Sequence, residues 1–141
     1  MSWLSDFQFG AMSRVVFGVG QAKQAGALAR ELNGRAALVM TDAGLAGLGL
    51  TEPIEASLRE AGLRAERFDG VVTEPTLASV EAAVALFKER DCDLIVGVGG
   101  GSSMDSAKAV SLLVGNGGRF PEYTQRRVGT ETGSPVTAYD G

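Results

Sequence analysis

Histidine is absent from the 141 residues of the chain. Its imidazole is the side chain that most often serves as a general base near neutral pH, and it is the commonest metal ligand in proteins. The absence of histidine excludes Ser-His-Asp triads and the usual imidazole metal sites from these residues. We therefore assign no catalytic residue and no metal ligand to the sequence.

Cysteine is nearly absent, since Cys92 is the only one. A single cysteine cannot form an internal disulfide, which agrees with a reducing cytoplasm. The neighbouring carboxylates of Asp91 and Asp93 favour the neutral thiol, so we expect a raised pKa and an inert side chain.

Basic stretches and long apolar runs are also lacking. The net charge is −4 and no basic stripe is present, so nucleic acid is not an expected partner. No apolar run approaches the length of a bilayer, and Met1–Asp6 lacks the basic start of a secretion signal. With 45% hydrophobic and 21% charged residues, the composition is ordinary for a soluble globular protein, and 141 residues are the size of one domain. No membrane partner is expected.

Glycine, in contrast, is abundant, with 20 residues, about twice the average usage. The apolar run that begins at Leu94 predicts a buried strand, and Gly99-Gly100-Gly101 interrupt it. A helix is predicted directly afterwards, with Ser102 or Ser103 as its N-cap. Glycines before a helix N-terminus let an anion approach unpaired N–H groups, so this unit predicts phosphate binding. The alternative is a tight turn that binds nothing.

Apolar strand patterns alternate with helical ones along the chain, which predicts βαβ units and a parallel sheet. The strands predicted to be neighbours are Ala36–Met40, Ala65–Phe68 and Asp93–Val98. An additional pair of edge strands is predicted at Phe7–Phe9 and Val15–Phe17. Predicted helix boundaries are Gly34 in the left-handed conformation and caps at Thr51 and at Thr76 or Ser79.

Two acidic residues are candidates for cofactor contacts. Asp42 follows a predicted strand, at the edge where open α/β sheets bind ligands, and its carboxylate can accept from a ribose. Its alternative role is to cap a helix or loop. Asp105 lies in the first turn of the helix after the glycines, where it could orient the turn, reach the nicotinamide side of a cofactor or pair with Lys108.

Gly-Gly-Gly-Ser-x-x-Asp-x-Ala-Lys, at residues 99–108, resembles the signature of the iron-containing (group III) alcohol dehydrogenases. Three further segments resemble the same family over residues 7–116. They are Phe17-Gly18-x-Gly20, Thr41-Asp42-x-x-Leu45, and Phe68-Asp69-Gly70-Val71-Val72 followed by Glu74-Pro75-Thr76.

The resemblance implies a Rossmann-like parallel sheet flanked by helices, the dehydroquinate synthase-like N-terminal NAD(P)-binding domain. We predict this nucleotide-binding domain over residues 1–116 and an irregular segment over 117–141, one interpretation of which is the truncated remainder of the domain. The family's helical domain, which holds Fe or Zn through histidines, is not expected here. The family's first strand often pairs with a partner subunit's strand, which implies a homodimer.

Under this resemblance, the residues predicted to contact the cofactor are Asp42, Gly99, Gly100, Gly101, Ser102, Ser103, Asp105 and Ser134. Ser134 belongs to Val128–Thr137, which resembles a cofactor-wrapping segment of the family. Val128-Gly129 and Pro135 depart from the family pattern there. A carboxylate at Asp42 would repel a 2′-phosphate, so NAD is expected rather than NADP.

The leading function is the cofactor half of an NAD-dependent, metal-dependent alcohol dehydrogenase that acts on a small alcohol or aldehyde. Taken alone, the chain is expected to bind nucleotide without turnover. The alternatives are a non-catalytic nucleotide-binding module or fragment, and a relative that resembles glycerol dehydrogenases.

Overall fold

The computed structural model describes residues 14–117. Three strands form one parallel sheet, namely β1 (Ala36–Asp42), β2 (Arg64–Val71) and β3 (Leu94–Gly97). Their order in the sheet is β2-β1-β3. The parallel sheet and its three neighbouring strands are thereby confirmed, with β1 at the centre.

Helices fill the connections between these strands. After a 3₁₀ turn at Gln21–Gln24, they are α1 (Ala25–Glu31), α2 (Ala43–Gly47), α3 (Glu52–Glu60), α4 (Leu77–Glu89) and α5 (Gly101–Asn116). No helix within residues 14–117 has the length and apolar character needed to cross a membrane.

The side chains of β1 point alternately to the two faces of the sheet, which separates the helices into two layers. Ala36, Leu38 and Met40 belong to a core cluster that includes α4 and α5. Ala37 and Val39 belong to a second cluster, which includes α1 and α3. The helix that follows β3, α5, therefore packs on one face, and α3, between β1 and β2, packs on the other.

The strand predicted at Val15–Phe17 is wrong, because these residues form no strand. The side chains of Val15 and Phe17 are 84% and 97% exposed. An apolar pattern becomes a strand only where a second strand supplies hydrogen bonds, and no strand within 14–117 pairs with this segment. Its predicted partner, Phe7–Phe9, lies outside the described residues.

The predicted helix boundaries have mixed outcomes. Asn33 takes the left-handed conformation after α1, with φ 59°, so the prediction for Gly34 is wrong. A Cβ at Gly34 would lie 3.1 Å from the Ala29 backbone oxygen, so glycine avoids a tight contact there. Thr51 occupies the N-cap of α3 without a capping hydrogen bond, whereas Thr76 caps α4 by accepting from the Ser79 N–H.

Cys92 is buried, and this burial is the main cause that raises the pKa of its thiol to about 11. The charge of Glu66 is the next cause, and those of Asp93 and Asp91 contribute less. The expected direction is confirmed, but the flanking carboxylates are not its principal origin.

A buried ion pair network joins α3 to β2, and sequence reasoning missed it. Glu55 is only 4% exposed, and its carboxylate accepts from Arg67 Nε at 2.6 Å and from an Arg59 guanidinium nitrogen at 3.1 Å. Burial alone would raise the pKa of Glu55, but the hydrogen bonds and the charge of Arg67 outweigh it, so the pKa is lowered. The network holds the outer strand against α3.

We predict that Glu55→Gln lowers the free energy of unfolding by about 1–3 kcal/mol near neutral pH, because charge-assisted hydrogen bonds are lost. A carboxyl with a depressed folded pKa stabilises the protein above its unfolded pKa, and this contribution is lost as the pH falls through the folded pKa. The difference in free energy of unfolding between the two proteins should therefore shrink as the pH is lowered from neutral into acid. Urea unfolding at several pH values over this range measures that difference.

Glu60→Gln, at the exposed end of the same helix, is the control and should change stability by less than about 0.5 kcal/mol. If Glu55→Gln lowered the free energy of unfolding by the same amount at every pH, the charge of the carboxylate would not be the cause of the destabilisation.

Candidate functional site

The carboxyl ends of β1 and β3 lie side by side at one edge of the sheet. These two strands are neighbours, and the helices that follow them lie on opposite faces. In open α/β sheets such a switch point leaves a crevice that binds ligands. Asp42 ends β1 on one side, and the glycine turn begins directly after β3 on the other.

Asp42 lies at this edge and caps α2. Its Oδ1 accepts from the Leu45 N–H at 2.9 Å, so the capping alternative is observed. The second carboxylate oxygen has no hydrogen-bond partner within residues 14–117. One oxygen therefore fixes the side chain, and the other remains able to accept from a ligand.

Gly99 is required by the fold itself. Its φ is 139°, a backbone conformation that other residues rarely adopt. A Cβ there would lie 2.6 Å from Ser103 Oγ and 2.9 Å from Leu45 Cδ1. The turn after β3 is thus packed directly against the helix that Asp42 caps.

Gly100 and Gly101 have no such internal requirement. Gly100 has a negative φ of −86° at the N-cap, and Gly101 begins α5. A Cβ at either position would meet no atom within 4 Å among the described residues. The space in front of the α5 N-terminus is therefore open, and the N–H groups of the first turn lack intrahelical acceptors there.

The two serines have roles other than the predicted capping. The N-cap of α5 is Gly100, and no side chain caps it, so that prediction is wrong. Ser102 Oγ donates instead to the Thr73 backbone oxygen at 2.6 Å. Ser103 is buried beneath the turn, with 1% exposure.

Asp105 points away from this arrangement toward solvent. Its carboxylate pairs with Lys108 at 3.6 Å, and both side chains are mostly exposed, so the surface ion pair is observed. Ser134 lies outside the described residues. In the part of the chain from 14 to 117, no group of three His, Cys, Asp or Glu side chains could hold a metal ion.

A cleft of about 420 Å³ lies beside the same end of the sheet, and sequence reasoning did not find it. Val96–Val98 line it together with residues from the segment before α1, among them Val16, Phe17 and Gly18. Arg14 pairs with Glu31 at 2.6 Å. The cleft depends on where the irregular segment before α1 runs, for which the sequence carries no periodic signal.

Comparisons with known proteins identify the relatives of this fold. The family profile described as iron-containing alcohol dehydrogenase matches residues 12–139. The NAD-dependent methanol dehydrogenase of Bacillus methanolicus is 40% identical over 108 residues, which are 77% of this chain and 28% of that protein.

Solved structures agree with this match. The NADH-dependent butanol dehydrogenase A of Thermotoga maritima superposes with a TM-score of 0.74 at 30% identity, over 82% of this chain and 29% of that one. A 1,3-propanediol oxidoreductase superposes with a TM-score of 0.73 at 36% identity, over 76% of this chain and 28% of that one. The chain thus spans little more than a quarter of these relatives, and it belongs to the iron-containing alcohol dehydrogenase family.

Proposed function

We propose that this chain is the NAD-binding domain of an alcohol dehydrogenase that oxidises small alcohols or reduces aldehydes. The observation that carries the proposal is the open space at Gly100 and Gly101, in front of a helix N-terminus at the switch point of the sheet. Contacts within the fold do not require glycine at these two positions. A pyrophosphate that contacts the backbone would require it, because a side chain would occupy the space of the phosphate.

The residues present fit a dinucleotide. Backbone N–H groups in the first turn of α5 would donate to the pyrophosphate, and the helix dipole favours its negative charge. The second carboxylate oxygen of Asp42 would accept from the adenosine ribose. The nicotinamide, when bound, supplies the capacity to take up a hydride from an alcohol, while the protein positions the cofactor.

The residues present do not fit the family's metal. The 141 residues contain no histidine, and those from 14 to 117 hold no cluster of three potential ligands. Turnover would therefore need residues outside this sequence, and a non-catalytic nucleotide-binding module is the second candidate. The names of the relatives support an alcohol or aldehyde substrate, and the family resemblance supports a cytoplasmic homodimer.

We predict that Gly100→Val weakens NAD binding at least tenfold while the protein stays folded, with a melting temperature lowered by a few degrees because valine is a poorer N-cap than glycine. The added methyl groups would fill the space that the phosphate needs, and no protein atom opposes them. Calorimetry with NAD and thermal unfolding provide the two readouts. Gly47→Val, a second glycine with open space around it, is the control and should bind NAD normally.

Gly99→Ala should behave differently, because strain and the contacts with Ser103 and Leu45 would destabilise the fold. Equal NAD affinity in the Gly100→Val and unaltered proteins would refute the placement of the pyrophosphate.

We predict that Asp42→Asn narrows the preference for NAD over NADP by roughly tenfold, because a charged hydrogen bond and a like-charge repulsion are removed. Asparagine keeps the cap, so stability should be retained. Asp42→Ala should narrow the preference for NAD over NADP to a similar extent, and it should also lower the free energy of unfolding by about 1 kcal/mol because the cap is removed. Titration with both dinucleotides measures this, and a preference for NADP in the unaltered protein would show that Asp42 does not contact the ribose.

We predict that the 141-residue chain binds NAD but does not oxidise methanol, butanol or 1,3-propanediol, with or without added Fe²⁺ or Zn²⁺. The reason is the missing imidazole ligands. NADH absorbance is the assay. Metal-stimulated turnover would show that the chain carries a complete active site.

A further inference from the structure

The loop Val72–Pro75 joins β2 to α4 and is referred to here as the β2–α4 loop. Each end of this loop is fixed by a local hydrogen bond. Ser79 Oγ donates to the Gly70 oxygen at 2.8 Å, and Thr76 caps α4. Between these ends, Ser102 Oγ donates to the Thr73 backbone oxygen at 2.6 Å, which ties the middle of the loop to another element.

This bond connects two elements that are distant in sequence. Ser102 lies in the first turn of α5, after β3, whereas Thr73 follows β2. Both residues follow the carboxyl ends of strands that flank β1. The bond therefore lies at the edge of the sheet where the nucleotide site is proposed.

The number of hydrogens on a hydroxyl limits what Ser102 can do. A serine hydroxyl has one hydrogen, and Ser102 donates it to the Thr73 carbonyl. Phosphate oxygens at neutral pH accept hydrogen bonds, so this side chain has no hydrogen left for them. A ligand phosphate can receive only the backbone N–H of Ser102 while the bond to Thr73 is intact.

We propose that Ser102 is a positioning residue, whose hydroxyl holds the β2–α4 loop against the first turn of α5 and so forms the adenosine side of the site. The inference rests on the proposed function and deepens it. The pyrophosphate is bound by the helix backbone, and Ser102 acts on the nucleotide only through the loop.

NMR relaxation tests the hold on the loop without any ligand. In the 141-residue chain, Ser102→Ala should lower the backbone order parameters of residues 72–74 to about 0.6 or less, because the hydrogen bond that restrains the Thr73 carbonyl is lost. The order parameters of β1 should stay unchanged. Ser102→Thr keeps the donor and should match the unaltered protein, and so should Ser111→Ala on the same helix.

Calorimetry with two probes then separates positioning from direct contact. Ser102→Ala should weaken NAD binding by roughly fivefold to tenfold. Inorganic pyrophosphate, which needs only the helix N-terminus, should bind within about twofold of the unaltered protein.

Equal weakening of NAD and pyrophosphate would show that the hydroxyl contacts phosphate and would overturn the proposal, as would unchanged order parameters in the loop. If the unaltered protein binds no NAD, the proposed function fails, while the order parameters of the loop still decide the role of Ser102. If Ser102→Ala does not fold, Ser102→Cys, whose thiol is a weak donor, should show the same pattern.

Discussion

The complete burial of β1 is the constraint on which the rest of the structure depends. Ala36–Met40 are all 0% exposed, and β1 pairs with a strand on each side. A strand buried on both faces requires a helical layer on each face, and short connections then place those layers by right-handed crossovers. The crevice at the carboxyl ends of β1 and β3 follows from this arrangement, because the helices after these strands lie in different layers.

Glycine has three different physical roles in this chain, which its abundance alone does not reveal. Gly26 permits close helix packing, since a Cβ there would lie 2.1 Å from the Ser57 backbone oxygen between α1 and α3. Gly99 supplies a backbone conformation that a side chain would strain. Gly100 and Gly101 serve neither purpose and leave open space, which the proposed function assigns to a pyrophosphate.

Much of the fold was predictable from the sequence, because burial on both faces leaves continuous apolar runs and helical stripes. The prediction of an edge strand at Val15–Phe17 was wrong, because it rested on an apolar pattern alone and a strand also needs a neighbouring strand for its hydrogen bonds. The role of Glu55 was missed because its position in the sequence looks like that of any polar residue on an amphipathic helix. Its partner Arg67 lies on a different element and comes beside it only in the folded structure. The N-cap of α5 lies at Gly100 and not at Ser102, and the left-handed residue after α1 is Asn33 and not Gly34. Both outcomes depend on backbone angles, for which neighbouring residues compete almost equally.

The cap that Asp42 forms is compatible with the ribose contact proposed for the same residue. A carboxylate has two oxygens, and the cap to the Leu45 N–H uses Oδ1. This bond restricts the side-chain rotamer before any ligand arrives, so less conformational entropy is lost on binding. The capped helix in turn brings Leu45 into the region of Gly99, where a Cβ would lie 2.9 Å from Leu45 Cδ1. The acidic residue and the glycine turn, which lie more than fifty residues apart, therefore hold each other in register through one short helix.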